Sequence, residues 1–155
     1  MPMRVPHESS PPAALRPMRD PSSRGRQPAE AWAVANDLPS SFRYAAQGIV
    51  YSFRSQRNFR IHAVTGTLVF ALGLALGLPR LQVAVLVLTV AAVLVLELLN
   101  TAIEAVVDLA VGRRFHPLAR IAKDCAAAAV LVAALAAVAI ALLLLLPPLL
   151  ARFGH

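Results

Sequence analysis

The sequence is poor in cysteine, and beyond its first 38 residues it is also poor in acidic residues. Cys125 is the single cysteine among 155 residues, which excludes a framework of internal disulfides and a metal site built from several cysteines. The first 40 residues contain no apolar core long enough for a secretory signal peptide, so we expect no cleaved leader. The acidic residues beyond residue 38 are only Glu97, Glu104, Asp108 and Asp124.

Apolar residues, by contrast, are abundant and grouped. They make up 58% of the chain, whose mean hydropathy is +0.65, above the level of ordinary soluble domains. Three long apolar runs cover residues 61–78, 81 to about 109, and 124–146. A helix needs about 20 apolar residues to cross a bilayer. The sequence therefore predicts an all-α integral membrane protein with three transmembrane helices, the third closed by Pro147 and Pro148.

The residues before the first run divide into two parts. Residues 1–39 hold eight of the twelve prolines and predict a disordered cytoplasmic tail, followed by a membrane domain over residues 40–150. In residues 40–58, Phe42, Ile49 and Phe53 recur at helical spacing, with Arg43 and Arg54 on the other side. This pattern predicts an amphipathic helix on the membrane surface. The alternative is a helix packed on a soluble core.

Basic residues predict the orientation. Nine arginines precede the first run, and four more basic residues lie in residues 112–123. We interpret residues 112–123 as a loop, because Gly112 can end a helix and Pro117 prevents its smooth continuation. The opposite side has only Arg80 and Arg152. Since cytoplasmic loops carry the excess of Lys and Arg, we expect the N-terminus and this loop in the cytoplasm.

The end of the second run carries an unusual row of polar residues, within the sequence ELLNTAIEAVVD. On a helix they share an arc of about 100°. Each acid at the bilayer centre would cost about 2.5–3.5 kcal/mol, so stability does not explain the row. One alternative is a stripe that joins helices by hydrogen bonds; the other is a functional site. The polar residues are Glu97, Asn100, Thr101, Glu104 and Asp108.

Carboxylates beside basic residues at a membrane surface suit a site for a metal and a nucleotide. Mg²⁺ takes carboxylate and phosphate oxygens, cations neutralise phosphates, and a further carboxylate can accept a proton from an alcohol. No Gly-rich phosphate loop of the G-x-x-x-x-G-K type and no protein-kinase signature is present. From this chemistry alone, a carrier of protons or cations fits almost as well.

Four motifs make a more specific match. ELLNTAIEAVVDL and ARIAKD, with YAAQGIVYSF and RNFRIH ahead of the first run, resemble the prokaryotic diacylglycerol kinase family, which includes undecaprenol kinase. The resemblance covers about residues 42–140. It implies a homotrimer in the bacterial inner membrane, each subunit having three spans and a surface helix. It also implies ATP- and Mg²⁺-dependent phosphorylation of a lipid hydroxyl at the cytoplasmic face, with membrane lipids as surroundings and no nucleic acid partner.

RNFRIH and FHPLARIAKD resemble the undecaprenol kinase branch of the family more than the diacylglycerol kinase branch, which implies undecaprenol as substrate, with diacylglycerol next. The alternative from another class is a non-catalytic helix bundle, either an inactive relative or a proton or cation conductor. Transport would favour ionisable groups along the depth of the spans, whereas here they cluster at one end.

The resemblance further implies roles for individual residues. The catalytic base falls on Glu97 and a metal ligand on Glu104, while Asn100 and Asp108 match supporting polar residues. The residues expected to contact ATP are Tyr44, Gln56, Glu104, His116, Lys123 and Asp124. His62 and His116 are, on general grounds, more typical of packing or headgroup contacts.

Gln56 departs from the family pattern, which has a metal-binding Glu at this position. A neutral amide oxygen binds Mg²⁺ more weakly than a carboxylate does. We expect an active protein with a lower metal affinity; the alternative is that the substitution has silenced it.

Overall fold

The computed structural model describes residues 38–112 and 114–153, which form four α-helices. The helices are α1 (Leu38–Ser55), α2 (Arg57–Ala75), α3 (Arg80–Val111) and α4 (Pro117–Phe153). The last three are long and apolar enough to cross a membrane, and the described residues contain no strand. The predicted all-α fold with three candidate spans is therefore confirmed. The predicted tail, apart from its last two residues, lies outside the described residues.

Helix α1 leaves much of its apolar face exposed among the described residues. Phe42 is 73% exposed, Ile49 50% and Phe53 46%. The alternative of a helix packed on a soluble core is therefore wrong for this chain. The exposed apolar face is the feature expected of a helix that lies on a membrane surface.

Helices α1 and α2 meet at a corner formed by Gln56, whose backbone is extended (φ −102°, ψ 116°). The guanidinium of Arg60 donates to the carbonyl oxygens of Phe53 (3.4 Å) and Arg54 (3.0 Å), which the end of α1 leaves without helical partners. The Arg60 side chain, near the start of α2, thus holds the corner. Helix α2 begins at Arg57, before the predicted apolar run, and so includes polar residues that the run left out.

A tight turn joins α2 to α3 at the opposite end. Gly77 adopts a left-handed conformation (φ +68°) that side chains with a Cβ rarely take. The Leu78 N–H bonds to the Gly73 carbonyl (3.1 Å) and the Gly77 N–H to that of Leu74 (3.0 Å), the two hydrogen bonds of a Schellman motif. The chain then enters α3 directly after Pro79. This turn makes α2 and α3 antiparallel neighbours.

Two glycines let α2 approach α3 closely. A Cβ built on Gly66 would lie 2.5 Å from Val90 Cγ1, and one on Gly73 would lie 3.0 Å from Leu86 Cδ1. Both glycines are buried, and Leu86 is only 2% exposed. Small residues at such a seam bring the backbones of membrane helices together.

Helix α4 is longer at both ends than the apolar run predicts. It begins at Pro117, so most of the predicted loop 112–123 is helical, and it continues through Pro147 and Pro148 to Phe153. Proline fits the first position, where no N–H is needed. The prediction that Pro147 and Pro148 close the helix is wrong: their fixed φ is compatible with a helix despite the lost hydrogen bonds, and Arg152 donates to the Ala75 carbonyl (3.2 Å), which holds the last turn against α2.

Candidate active site

The polar row on α3 runs from the interior of the protein to its surface. Glu97 is 3% exposed and Thr101 8%, Asn100 and Glu104 are half-buried, and Asp108 is exposed. The Thr101 hydroxyl donates to the Glu97 carbonyl (3.0 Å), which satisfies it within the helix. The predicted shared face therefore exists, with one carboxylate buried at its inner end and another accessible at its outer end.

Glu97 faces a histidine from the neighbouring helix. Its Oε1 lies 3.4 Å from Nε2 of His62 in α2, and this buried oxygen has no hydrogen-bond partner. Sequence reasoning treated His62 as a packing residue and missed the pair. The hairpin offered a signal: His62 lies eleven residues before Gly73, and Glu97 lies eleven residues after Leu86, the contact of Gly73 across the antiparallel helices.

The middle of the row is joined by an amide. Asn100 Nδ2 donates to Glu104 Oε1 (3.1 Å), while Asn100 Oδ1 is buried without a partner. The available atoms are thus carboxylate and amide oxygens, the donor type that Mg²⁺ prefers. Among the described residues, no three His, Cys, Asp or Glu side chains lie close enough to hold a metal by themselves. These donors fit a magnesium ion that takes most of its ligands from phosphates and water.

Helix α4 supplies cations to the outer end of the row. Lys123 Nζ lies 2.5 Å from Asp108 Oδ1, and Arg120 Nε lies 3.5 Å from Asp124 Oδ2. The sequence neighbours Lys123 and Asp124 therefore have separate partners in this chain. Both pairs line an open groove between the end of α3 and the start of α4, which we call the basic groove. The groove's other polar or charged lining residues are Arg114 and His116.

His116 has a structural role that the sequence did not indicate. Its Nδ1 accepts a hydrogen bond from the Leu118 N–H (3.2 Å), and its carbonyl accepts from the Arg120 N–H (3.2 Å). These are the bonds of a helix N-cap, so His116 starts α4. At the end of α3, Gly112 (φ +60°) donates to the Asp108 carbonyl (2.8 Å) and turns the chain as predicted.

Tyr44 and Gln56 take no part in these pairs. The Arg43 guanidinium stacks over the Tyr44 ring at 5.3 Å from its centroid. The side chain of Gln56 makes no capping hydrogen bond to α2. Its amide oxygen is therefore not bonded to the start of that helix. Within the part of the chain that the structure describes, neither side chain hydrogen-bonds to the acids of α3.

Comparison with known proteins gives consistent matches. The family model of prokaryotic diacylglycerol kinase matches residues 43–145. The diacylglycerol kinase of Synechocystis sp. is 51% identical over 143 residues, which are 92% of this chain and 77% of the relative. The undecaprenol kinase of Bacillus subtilis is 42% identical over 95 residues, which cover 61% and 76%. The diacylglycerol kinase of Haemophilus influenzae is 33% identical over 93 residues, which cover 60% and 78%.

Proposed function

The chain belongs to the prokaryotic diacylglycerol kinase family, and we propose that it transfers the γ-phosphoryl group of ATP to the hydroxyl of a membrane lipid. The relatives carry the names of two lipid kinases. The observation that carries the proposal is the polar row of α3, which joins a buried carboxylate to a basic groove at one end of three candidate spans.

Glu97 is the proposed general base. The lipid oxygen must lose its proton as it forms a bond to the γ-phosphorus and the bond to the leaving ADP oxygen breaks. A buried carboxylate on a helix long and apolar enough to cross a membrane suits a hydroxyl that reaches the protein from the bilayer. Positioned bases of this kind contribute about 10²–10⁴-fold to rate.

The outer end of the row is the proposed nucleotide site. Lys123 lies at the mouth of the basic groove and can neutralise phosphate oxygens, as positioned cations do in phosphoryl transfer. Lys123 pairs with Asp108, which keeps the ammonium in place. Contacts to ATP from Tyr44, His116 and Asp124 are further parts of the proposal.

Magnesium is the proposed metal. Glu104, oriented by its hydrogen bond from Asn100, would hold it together with the amide oxygen of Gln56. When bound, the ion would supply charge neutralisation on the phosphates. The oxygen-only donors of the row support this choice of metal.

The site is proposed to face the cytoplasm of a bacterial cell. Arg57, Arg60 and Arg120 lie at the helix ends near the polar row, while Arg80 and Arg152 lie at the other ends of their helices. This separation, with the excess of basic residues on the side of the row, supports a cytoplasmic N-terminus and access to ATP.

A homotrimer is the proposed assembly. Most of the apolar stretch with which α3 and α4 could each cross a membrane stays exposed within one chain. Exposed leucines such as Leu88 (72%) and Leu99 (52%) remain on α3. These faces are available to neighbouring subunits or to lipid.

Undecaprenol is the proposed substrate, with diacylglycerol as the second candidate. The motifs RNFRIH and FHPLARIAKD favour the first, whereas the Synechocystis relative at 51% identity is named for the second. The test supplies purified protein with labelled ATP, Mg²⁺ and each lipid in turn. We expect label in the lipid product, faster with undecaprenol. A faster reaction with diacylglycerol would reverse the substrate assignment, and no labelled lipid would refute the kinase.

A proton or cation conductor is the rival function. It would require ionisable groups along the depth of the bundle. Between Asp124 and Arg152, α4 has no ionisable side chain except that of Cys125. This bare helix supports chemistry at one surface rather than passage through the bundle.

A further inference from the structure

His62 is the side chain that faces the buried carboxylate of Glu97, and it has no part in the mechanism above. Its Nε2 lies 3.4 Å from Glu97 Oε1, and its side chain is 27% exposed against 3% for Glu97. The distance is slightly longer than that of a charge-assisted hydrogen bond. Catalytic hydrogen bonds are often long before substrate binds and shorten in the reacting complex.

Three other donors at this end of the helices already have partners. The Arg60 guanidinium bonds to the carbonyls at the end of α1, Lys123 pairs with Asp108, and Asn100 donates to Glu104. Over the described residues, His62 is therefore the only ion-pair partner of Glu97.

The surroundings of His62 are mostly apolar. A cavity of about 240 Å³ between α2, α3 and α4 reaches His62 and is lined almost entirely by apolar side chains. Of its two threonines, Thr89 donates its hydroxyl to the Val85 carbonyl (2.7 Å). A buried carboxylate oxygen without a donor is costly, so the imidazole is the group that can satisfy it.

We propose that His62 is a positioning residue for the base. Its Nε2–H donates to Glu97 Oε1 and fixes the carboxylate, so that Oε2 is presented to the lipid hydroxyl. This inference rests on the proposed function, since it concerns the same reaction. Because a misplaced reacting group can cost orders of magnitude in rate, loss of the imidazole should slow turnover more than it weakens the binding of either substrate.

The test compares His62→Ala with His62→Gln, whose amide nitrogen can take the place of Nε2. We expect His62→Ala to lower kcat by about 10- to 100-fold, a range typical of lost orienting partners, while the lipid KM and ATP KM change less than about threefold. His62→Gln should recover most of the rate. Thr67→Ala, on the same helix, removes a hydroxyl that bonds only to the Ala63 carbonyl and serves as the matched control with near wild-type turnover.

A double variant separates positioning from folding. If His62 acts through the base, His62→Ala should cost little further rate in a Glu97→Gln background, because residues that act as a unit are not additive. Undiminished kcat in His62→Ala, an equal loss in His62→Gln, or a full additional loss in the double variant would overturn the inference. The wild type would still phosphorylate lipid in each of those outcomes, whereas an inactive wild type would instead refute the kinase itself.

Discussion

At the scale of single residues, the burial of Glu97 is the feature that stability explains least. The side chain is 3% exposed, and one carboxylate oxygen lacks a hydrogen bond. A buried carboxylate whose oxygen lacks a hydrogen bond is destabilising by about several kcal/mol. Proteins keep such groups where they serve chemistry, which supports the proposal that Glu97 acts as the base.

Lys123 tests the nucleotide end of the row. Lys123→Ala removes the ammonium that lies at the groove beside Asp108, so we expect the ATP KM to rise by about tenfold, in keeping with the loss of one charge-assisted hydrogen bond. The lipid KM should stay near that of the wild type. Arg80→Ala removes a positive charge at the opposite end of α3 and is the control. An ATP profile equal to that of the control would leave Lys123 only a topological role.

Gln56 tests the metal end. Gln56→Glu replaces a neutral oxygen at the α1–α2 corner with a carboxylate, so we expect the variant to reach half-maximal activity at a lower Mg²⁺ concentration than the wild type. Gln47→Glu adds the same charge on the exposed side of α1 and should not shift the Mg²⁺ requirement.

Two results would contradict this account of Gln56. Identical Mg²⁺ titrations for Gln56→Glu and the wild type would show that position 56 does not bind the metal. If only the variant phosphorylates lipid, the substitution has silenced the natural sequence, and the kinase reading of it fails.

At the scale of the helices, the sequence was informative about faces and less so about ends. Helical periodicity alone placed Glu97, Asn100 and Glu104 on one face, which is confirmed. The preference for glycine just after a helix end placed the end of α3 at Gly112, which is also confirmed. The early start of α4 and its passage through Pro147 were not predicted. Apolar runs mark membrane depth rather than helix ends, and the Arg152 contact to Ala75 depends on tertiary structure.

The α2–α3 seam gives a prediction at this scale. A methyl group at Gly66 would clash with Val90, so Gly66→Ala should lower the free energy of unfolding in detergent by about 1–3 kcal/mol, typical of overpacking. Gly48→Ala is the matched control, since nothing lies within 4 Å of its added Cβ and alanine favours helix.

Val90→Ala should relieve much of the loss when it is combined with Gly66→Ala, because the clash is with the Val90 side chain. Equal stability of Gly66→Ala and Gly48→Ala in denaturant titrations would show that the helices do not approach as closely as described.

At the scale of the whole molecule, the account depends on one orientation in the membrane. The polar row, the basic groove and the α1–α2 corner belong to one end of the helices, and the α2–α3 turn to the other. Composition and charge bias predicted this arrangement without coordinates. The pair of His62 with Glu97 could not be read from one helix, because it depends on how two helices face each other.

Topology reporters test the orientation. A reporter fused after Leu150 should be extracytoplasmic, and one inserted at Arg114 should be cytoplasmic, because thirteen of the fifteen basic residues precede the first apolar run or fall between the second and third runs of the sequence. The reverse result at either position would remove the three-span arrangement.

The measurement that tests the central claim most directly is lipid phosphorylation in oriented membrane vesicles. Labelled ATP is added outside sealed inverted vesicles, where it reaches the cytoplasmic face, and outside sealed right-side-out vesicles, where it does not. We expect labelled lipid only in the inverted vesicles, and at least about a hundredfold less with Glu97→Gln, in line with the loss of a general base. Equal labelling by Glu97→Gln, or labelling confined to right-side-out vesicles, would contradict the account.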